Sequence, residues 1–410
     1  MYLLKSILCA TALPSILLAA PNVPFTTSKS RIVDSTGANF TYVGVNWPGA
    51  ADVMIPEGLQ YSSISSIVSK IKSLNMNVVR LTFAIEMVDD IKDKGGDVTV
   101  QNAFTKALGS SKGPTAYQAV IKNNPQFNAS TTRLQVFDAV AAELSKQGIY
   151  VHLDNHMSKG AWCCGGGDGN AWFGDTYFNT ANWKRGLEFM ADHSPPKTKS
   201  WTSIVSIGLR NELRKPSSAG SSLAYNWSTW YDQVTAAANL VNAANPDILI
   251  FLSGLDYDTT LSPIPGAGDL GSGKKFQKSS FKYADKLVLE LHNYQNSATS
   301  CDSMKSSLNN GGFKALDASA VNQMPVVLTE FGFNQADSSY NGVYAKCLRT
   351  IIPQWKAGWT VWVLSGSYYI RSGTQDFEET WGLLNHDWSG WRSTSAINAL
   401  KDMISASLAA

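Results

Sequence analysis

The sequence predicts an α/β fold, a (β/α)8 TIM barrel built as a single domain with long loops after its strands. Three observations carry this prediction. Eight apolar runs of strand length follow one another, helical stretches lie between many of them, and two of the runs end in a glutamate, Glu212 and Glu330. Strands so uniformly apolar are buried on both faces, which implies a parallel sheet covered by helices. A carboxylate at the end of such a strand sits where a closed barrel opens to solvent, the end at which barrel enzymes place their chemistry. An open doubly wound sheet would usually need fewer strands and a glycine-rich turn after the first one, which Gly44-Val-Asn-Trp is not.

The elements follow in order. The first strand is predicted over Phe40–Trp47, and apolar spacing of three and four marks a helix over Leu59–Leu74. The second strand, Asn77–Phe83, is followed by a helix over Arg133–Gln147 and the third strand, Ile149–Asn155. Helix Asn182–Ala191 leads to strand Ile204–Glu212, and helix Tyr225–Asn242 to strand Ile248–Gly254. The sixth strand is Leu287–Tyr294; helix Ser303–Leu316 precedes strand Pro325–Gly332, helix Tyr340–Ile352 precedes strand Trp359–Gly366, and helix Ser393–Ile404 ends the pattern. The most irregular stretch, Met157–Asn179, follows the third strand and holds Trp162, the pair Cys163-Cys164, the run Gly165–Gly167 and Trp172. A connection that long at the catalytic end of a barrel reads as a binding loop. Its glycines lack the Lys-Ser/Thr that a phosphate cradle needs.

With 44% hydrophobic and 16% charged residues the chain can bury a large core. Its formal charge of +2 offers no basic field for nucleic acid or anionic lipid. Residues 1–20 carry Lys5, an apolar stretch broken by Pro14 and a small-residue end, the pattern of a secretory signal peptide, which leaves residues 21–410 as the mature domain. An extracellular protein is expected, with no membrane span. Cys163, Cys164, Cys301 and Cys347 remain after that segment, an even number that suits two disulfides. Cys301 and Cys347 lie on helical stretches flanking one strand and are expected to pair; Cys163 and Cys164 would then be bonded to each other or free. Sequons at Asn39, Asn128 and Asn226 are compatible with a secreted glycoprotein.

The strand ends collect Arg80, Asp154, His156, Asn211, Glu212, His292, Tyr294, Glu330 and Trp362. Two facing carboxylates are the machinery for breaking a glycosidic bond, one holding a proton for the leaving oxygen and the other ionised to attack. The segments Val79-Arg80-Leu81, Leu153-Asp154-Asn155-His156, Asn211-Glu212, His292-Asn293-Tyr294, Thr329-Glu330-Phe331-Gly332 and Trp362 resemble glycoside hydrolase family 5 over the whole mature chain, and the string from Leu153 to Lys159 with Trp162-Cys163-Cys164, together with Ile207–Arg214, resembles its plant and fungal branch. The resemblance implies a retaining mechanism in which Glu212 is the acid/base and Glu330 the nucleophile. It also implies that Asn211 holds the sugar 2-hydroxyl, His292 and Tyr294 flank the pair, and Trp362 floors the sugar subsite. Arg80 and His156 complete the expected substrate site.

Other residues have blander readings. His152, deepest on the face it shares with Asp154 and His156, reads as a satisfied interior histidine. With five His and neither HExxH nor a zinc-type Cys pair, no metal is expected, and no cofactor. Trp47, Trp162, Trp172, Trp381 and Trp388 fall near strand ends where rings could stack on sugars, whereas Trp201, Trp227, Trp230, Trp355 and Trp359 read as packing. The expectation is a secreted, monomeric hydrolase of a β-linked glucan, mannan or related glycoside. A non-catalytic carbohydrate-binding or cell-wall protein on the same scaffold, or a transglycosylase, are the other readings.

Overall fold

In the computed structural model, which describes residues 21–193, 201–217 and 222–410, eight parallel strands close into a barrel. They are β1 (Val43–Trp47), β2 (Val78–Ala84), β3 (Tyr150–Met157), β4 (Ile204–Gly208), β5 (Leu249–Leu252), β6 (Leu287–Asn293), β7 (Val326–Phe331) and β8 (Gly358–Val361). Each pairs with its neighbour in sequence, and β8 pairs with both β7 and β1 to close the ring. Residues 1–20, the expected signal peptide, lie outside the described residues.

All eight expected strands are present, shortened mostly at their ends. Strand β4 stops at Gly208 and Glu212 stands beyond it with φ of 46°, a left-handed backbone that cannot continue a ladder. Tyr294 and Trp362 likewise sit one residue past β6 and β8. Glu212, Tyr294 and Trp362 are therefore held by backbone just beyond the ladder, whereas His156, His292 and Glu330 are fixed within their strands.

The expected helices form over Ile64–Ser73, Arg133–Lys146, Thr180–Asp192, Trp227–Ala244, Cys301–Gly311, Val343–Gln354 and Thr394–Leu408. The first starts at Ile64 rather than Leu59 because the Ser63 side chain caps it, accepting the Ser66 N–H at 3.2 Å. Two helices were not foreseen. Ile85–Asp93 continues directly from β2 without a break in the chain, and Val100–Asn123 carries a kink at Gly109 and a proline at 114 that blur its apolar periodicity. Each helix buries an apolar stripe against the barrel, as Ile67, Val68 and Ile71 do from Ile64–Ser73. A fully buried side chain of this size is worth about 1.5–3 kcal/mol, so these stripes, more than propensity, hold the outer layer in place.

The two ends of the barrel differ. At the strand starts, Phe25, Ile32, Phe40, Tyr42, Val78 and Phe251 form a separate apolar cluster, with Phe25 stacked on Phe40 at 4.4 Å, and the hairpin Thr26–Ser28/Arg31–Val33 contributes to that plug. At the strand ends a second unforeseen hairpin, Ser367–Arg371 paired with Thr374–Glu378, rises beside the opening. Its turn, Ser372-Gly373, has φ of 50° and 83°, the two positive values that a tight two-residue hairpin requires.

Cys301 and Cys347 are bonded, their Cα atoms 5.3 Å apart, and tie the helices on either side of β7. The bridge closes a separation of 46 residues in the unfolded chain. Replacing both with serine is expected to lower unfolding free energy by about 2–4 kcal/mol, read as a reduced denaturant midpoint with a somewhat steeper slope, because the unfolded chain loses a constraint and exposes more surface.

Candidate active site

The site starts from Arg80, a guanidinium with no solvent exposure in the middle of β2. Alternation along β2 and β3 turns Arg80, Asp154 and His156 to the barrel interior. Arg80 Nη1 donates to Glu330 Oε1 at 2.6 Å and to Asn46 Oδ1 at 2.9 Å, while Nη2 donates to Asn211 Oδ1 at 2.9 Å and meets Asp154 Oδ1 at 2.9 Å. Burial alone would push the Asp154 carboxyl up, but Arg80 and the His156 ring, whose Nδ1 donates to Asp154 Oδ2 at 2.7 Å, outweigh it and hold it at about 2. Asn46, unremarked in the sequence, is fixed by donating to the carbonyls of Thr329, next to Glu330 on β7, and of Val361 on the neighbouring β8.

Beneath these groups lies a further buried acid. Glu290 on β6 has no solvent exposure, and burial, reinforced by Asp154 and Glu330 against the opposing pull of Arg80, raises its carboxyl to about 8. Space for it comes from Gly208: a Cβ there would stand 3.1 Å from Glu290 Oε1 and 3.2 Å from His152 Nε2. His152 itself is buried, bonded through Nδ1 to Ser206 Oγ at 2.9 Å, and burial with Arg80 nearby lowers it to about 3. It belongs to the interior and is neutral, as its position on β3 suggested.

The two glutamates meet at the opening. One oxygen of Glu212, one of Glu330 and a ring nitrogen of His292 all lie within 4.8 Å of one another. Glu330, 4% exposed, also accepts the Tyr294 hydroxyl at 2.8 Å. Glu212 keeps 13% of its side chain open to the cleft and faces His292 Nδ1 at 3.1 Å. Burial raises the Glu212 carboxyl to about 7, against the opposing influence of His156, Arg214 and Arg80. His292 is lowered to about 4 by burial and Arg80, despite Glu330, so its ring is neutral at pH 7 and carries its proton on the Nδ1 that faces the carboxylates.

Glu212, Glu330 and Tyr294 line a cavity of about 430 Å³ with His156, Trp162, Cys163, Cys164, Asn211, Trp362, Arg371 and Trp381, while His292 stands behind them without reaching it. His156 lies parallel to Trp362, ring centroids 5.6 Å apart. Cys163 and Cys164 are bonded to each other, and Asn211 Nδ2 points at both sulfurs from 3.5 Å. Their loop is anchored by Arg214, which donates to Gly165 O at 2.9 Å and pairs with Asp168 at 2.6 Å. Of the tryptophans considered for stacking, only Trp162 and Trp381, with Trp362, reach the cavity. Trp47, Trp172 and Trp388 are fully buried; Trp47 donates to Glu57 O and Trp172 to Ala224 O, so their rings pack within the protein. Trp201, Trp230 and Trp359 are buried as expected.

Two groupings of His, Cys and acidic residues among the described residues are tight enough to share an ion, Glu212 with His292 and Glu330, and Glu212 with the two cysteines. Neither donor set suits one. The cysteines are spent in a disulfide, and Glu330 already faces the Arg80 cation.

A closed (β/α)8 barrel whose open end presents two facing glutamates beside aromatic rings defines a glycoside hydrolase. The family model Cellulase (glycosyl hydrolase family 5) matches residues 33–367, and the chain belongs to that family. It is 34% identical over 409 residues to a glycosyl hydrolase 5 family protein of Chamaecyparis obtusa, covering 96% of this chain and 68% of that protein. It is 23% identical over 376 residues to an endoglucanase of Paenibacillus polymyxa, covering 89% and 83%. Among solved structures, the catalytic domain of the major endoglucanase of Xanthomonas campestris superposes with a TM-score of 0.67 at 18% identity, covering 92% of this chain and 99% of that one. The endocellulase of Pyrococcus horikoshii, as an alanine variant in complex with cellotetraose, gives 0.69 at 17% identity, covering 94% and 100%. These structural likenesses establish the barrel fold.

The Arg80 network makes one clear demand on stability. Arg80→Met keeps much of the volume but strands the buried Asp154 and Glu330 carboxylates, and is expected to cost about 3–5 kcal/mol in chemical denaturation.

Proposed function

We propose that this protein is a secreted, retaining endo-β-glucanase, cleaving β-linked glucan chains by double displacement with Glu330 as nucleophile and Glu212 as acid/base. The observation that carries this reading is the approach of the two carboxylates, oxygens within 4.8 Å, combined with their unequal surroundings. Inverting enzymes hold their carboxyl groups about 6.5–9.5 Å apart to admit a water, whereas retaining pairs stand about 5–5.5 Å apart. Glu330, held by the Arg80 guanidinium and the Tyr294 hydroxyl, is the partner aimed at the anomeric carbon. Glu212, raised to about 7, keeps its proton near neutral pH. His292 donates to Oε1 of Glu212, which leaves the other oxygen to present the proton to the leaving group.

In the first step Glu330 forms an ester to the anomeric carbon as the glycosidic C–O bond breaks and the Glu212 proton passes to the departing oxygen. In the second, Glu212 takes a proton from water, whose oxygen attacks the anomeric carbon and frees Glu330. Asn211, oriented by Arg80, would meet the sugar 2-hydroxyl, and Trp362 would lie under the ring. Endo action on β-1,4-glucan is favoured by the endoglucanases among the relatives. Secretion is favoured by the pattern of residues 1–20, two disulfides and exposed sequon asparagines at Asn39, Asn128 and Asn226. The non-catalytic alternative has the difficulty that both glutamates are present and face each other in unlike surroundings, Glu330 against Arg80 and Tyr294 and Glu212 against His292.

Four outcomes test the assignment. Product analysis by NMR at early times should show the β-anomer of the new reducing end; the α-anomer would exclude double displacement. Glu330→Gln should abolish turnover yet bind cello-oligosaccharides, and Glu212→Gln should lose about 100-fold or more on cello-oligosaccharides but far less on aryl glycosides with activated leaving groups, which need little proton donation. A pH profile should show kcat/KM falling as pH rises through about 7, because the raised Glu212 carboxyl holds its proton below that value and loses it above.

A further inference from the structure

Glu212 adopts its left-handed backbone on the loop after β4, and its N–H must point somewhere other than a strand ladder. It points at Asp258, whose Oδ2 accepts it at 2.7 Å. Asp258 comes from the loop after β5, has no solvent exposure, and its Oδ1 makes no hydrogen bond among the described residues. The same Oδ2 lies 3.8 Å from His292 Nε2, the ring whose Nδ1 faces the Glu212 carboxyl. One buried carboxyl thus touches the backbone of Glu212 and the far side of the imidazole that bonds its side chain.

The loop that delivers it is unusual. Asp256, Tyr257 and Asp258 have φ of 50°, 60° and 59°, three successive residues in a conformation that side chains other than glycine adopt singly if at all. Surrounding bonds over-determine this turn: Leu255 and Thr260 pair through both backbone groups, Tyr257 N donates to Leu213 O at 3.1 Å, and His292 N donates to Asp258 O at 2.9 Å. Two of those anchors are the neighbour of Glu212 in the chain and the partner of its carboxyl. Strain held in this way accumulates where a side chain must be delivered to a functional group.

We propose that Asp258 is a positioning residue for the acid/base, fixing the left-handed backbone of Glu212 and backing His292 so that the Glu212 carboxyl is aimed at the leaving group. This rests on the assignment of Glu212 above. The carboxyl is buried beside Glu290 and its proton affinity is pushed well above the usual carboxylate range by burial first and then by Glu290. A protonated Asp258 has the same shape and acceptor as an asparagine, so Asn is the conservative replacement and Ala the one that removes the acceptor.

The test compares wild type, Asp258→Ala, Asp258→Asn and Asp258→Ser on cellotetraose and on 2,4-dinitrophenyl β-cellobioside. Asp258→Ala is expected to lower kcat on cellotetraose by roughly 30- to 100-fold with little change in KM, and by less than about 5-fold on the activated aryl glycoside, while Asp258→Asn stays within about 5-fold on both. Asp258→Ser, too short to reach the Glu212 N–H, should behave as Ala and serves as the removal variant if Ala does not fold. Equal losses on the two substrates, or an Asn variant no better than the removal variant, would overturn the proposal, since a merely structural role affects both substrates alike. Wild-type turnover separates the levels. Its absence on both substrates overturns the assignment of Glu212 and this proposal together, whereas wild-type turnover with unselective variants overturns this proposal alone.

Discussion

Arg80 is a permanent cation placed where no water can reach it, and the arrangement of the cleft follows from the need to satisfy it. A guanidinium desolvated so completely must be surrounded by acceptors, and Asp154, Glu330, Asn46 and Asn211 supply them from four different elements. The same charge separates two glutamates of like chemistry. Glu330 bonds the guanidinium directly, whereas Glu212 feels it only at a distance and is dominated by burial. The two buried acids nearby divide in the same way: Asp154, in contact with Arg80, stays ionised, and Glu290, buried beneath without a direct bond, holds its proton at neutral pH.

Much of this was legible because a parallel barrel writes its geometry into the chain simply. Uninterrupted apolar runs occur only where both strand faces are covered, and the first polar residue after each run must stand at an end of the barrel. Asn211, Glu212, Tyr294 and Trp362 gather at one opening for that reason, and Arg80, His156, His292 and Glu330 join them from inward-facing positions within the strands, although together they span nearly the whole chain. The pairing of Cys301 with Cys347 followed from the helices that flank β7.

What escaped notice lies where side-chain direction is set by loop backbone instead of by periodicity. Asp258 stands in a turn whose three left-handed residues carry no glycine to announce it. Asn46 is one polar residue within the apolar β1, and its importance lies in contacts to β7 and β8, far away in sequence. The hairpin Ser367–Glu378, which brings Arg371 and Glu378 to the cavity wall, did carry a signal: the turn dipeptide Ser372-Gly373 between Tyr368-Tyr369-Ile370 and Phe377. Tryptophans misled because a ring near a strand end can turn inward as easily as outward, and Trp47, Trp172 and Trp388 do so, two of them with their indole N–H groups bonded to backbone carbonyls.

Closure of the ring by β8 against β1 also knits the cleft together across the chain. The Arg80–Glu330 bond joins residues 250 positions apart, and Asn46 reaches 283 positions to Thr329. Contacts so distant in sequence carry a loop-closure cost and slow folding. Competence in this molecule consequently belongs to the closed ring as a whole, because Glu330 and the cation that satisfies it come from opposite halves of the chain and no shorter stretch holds both.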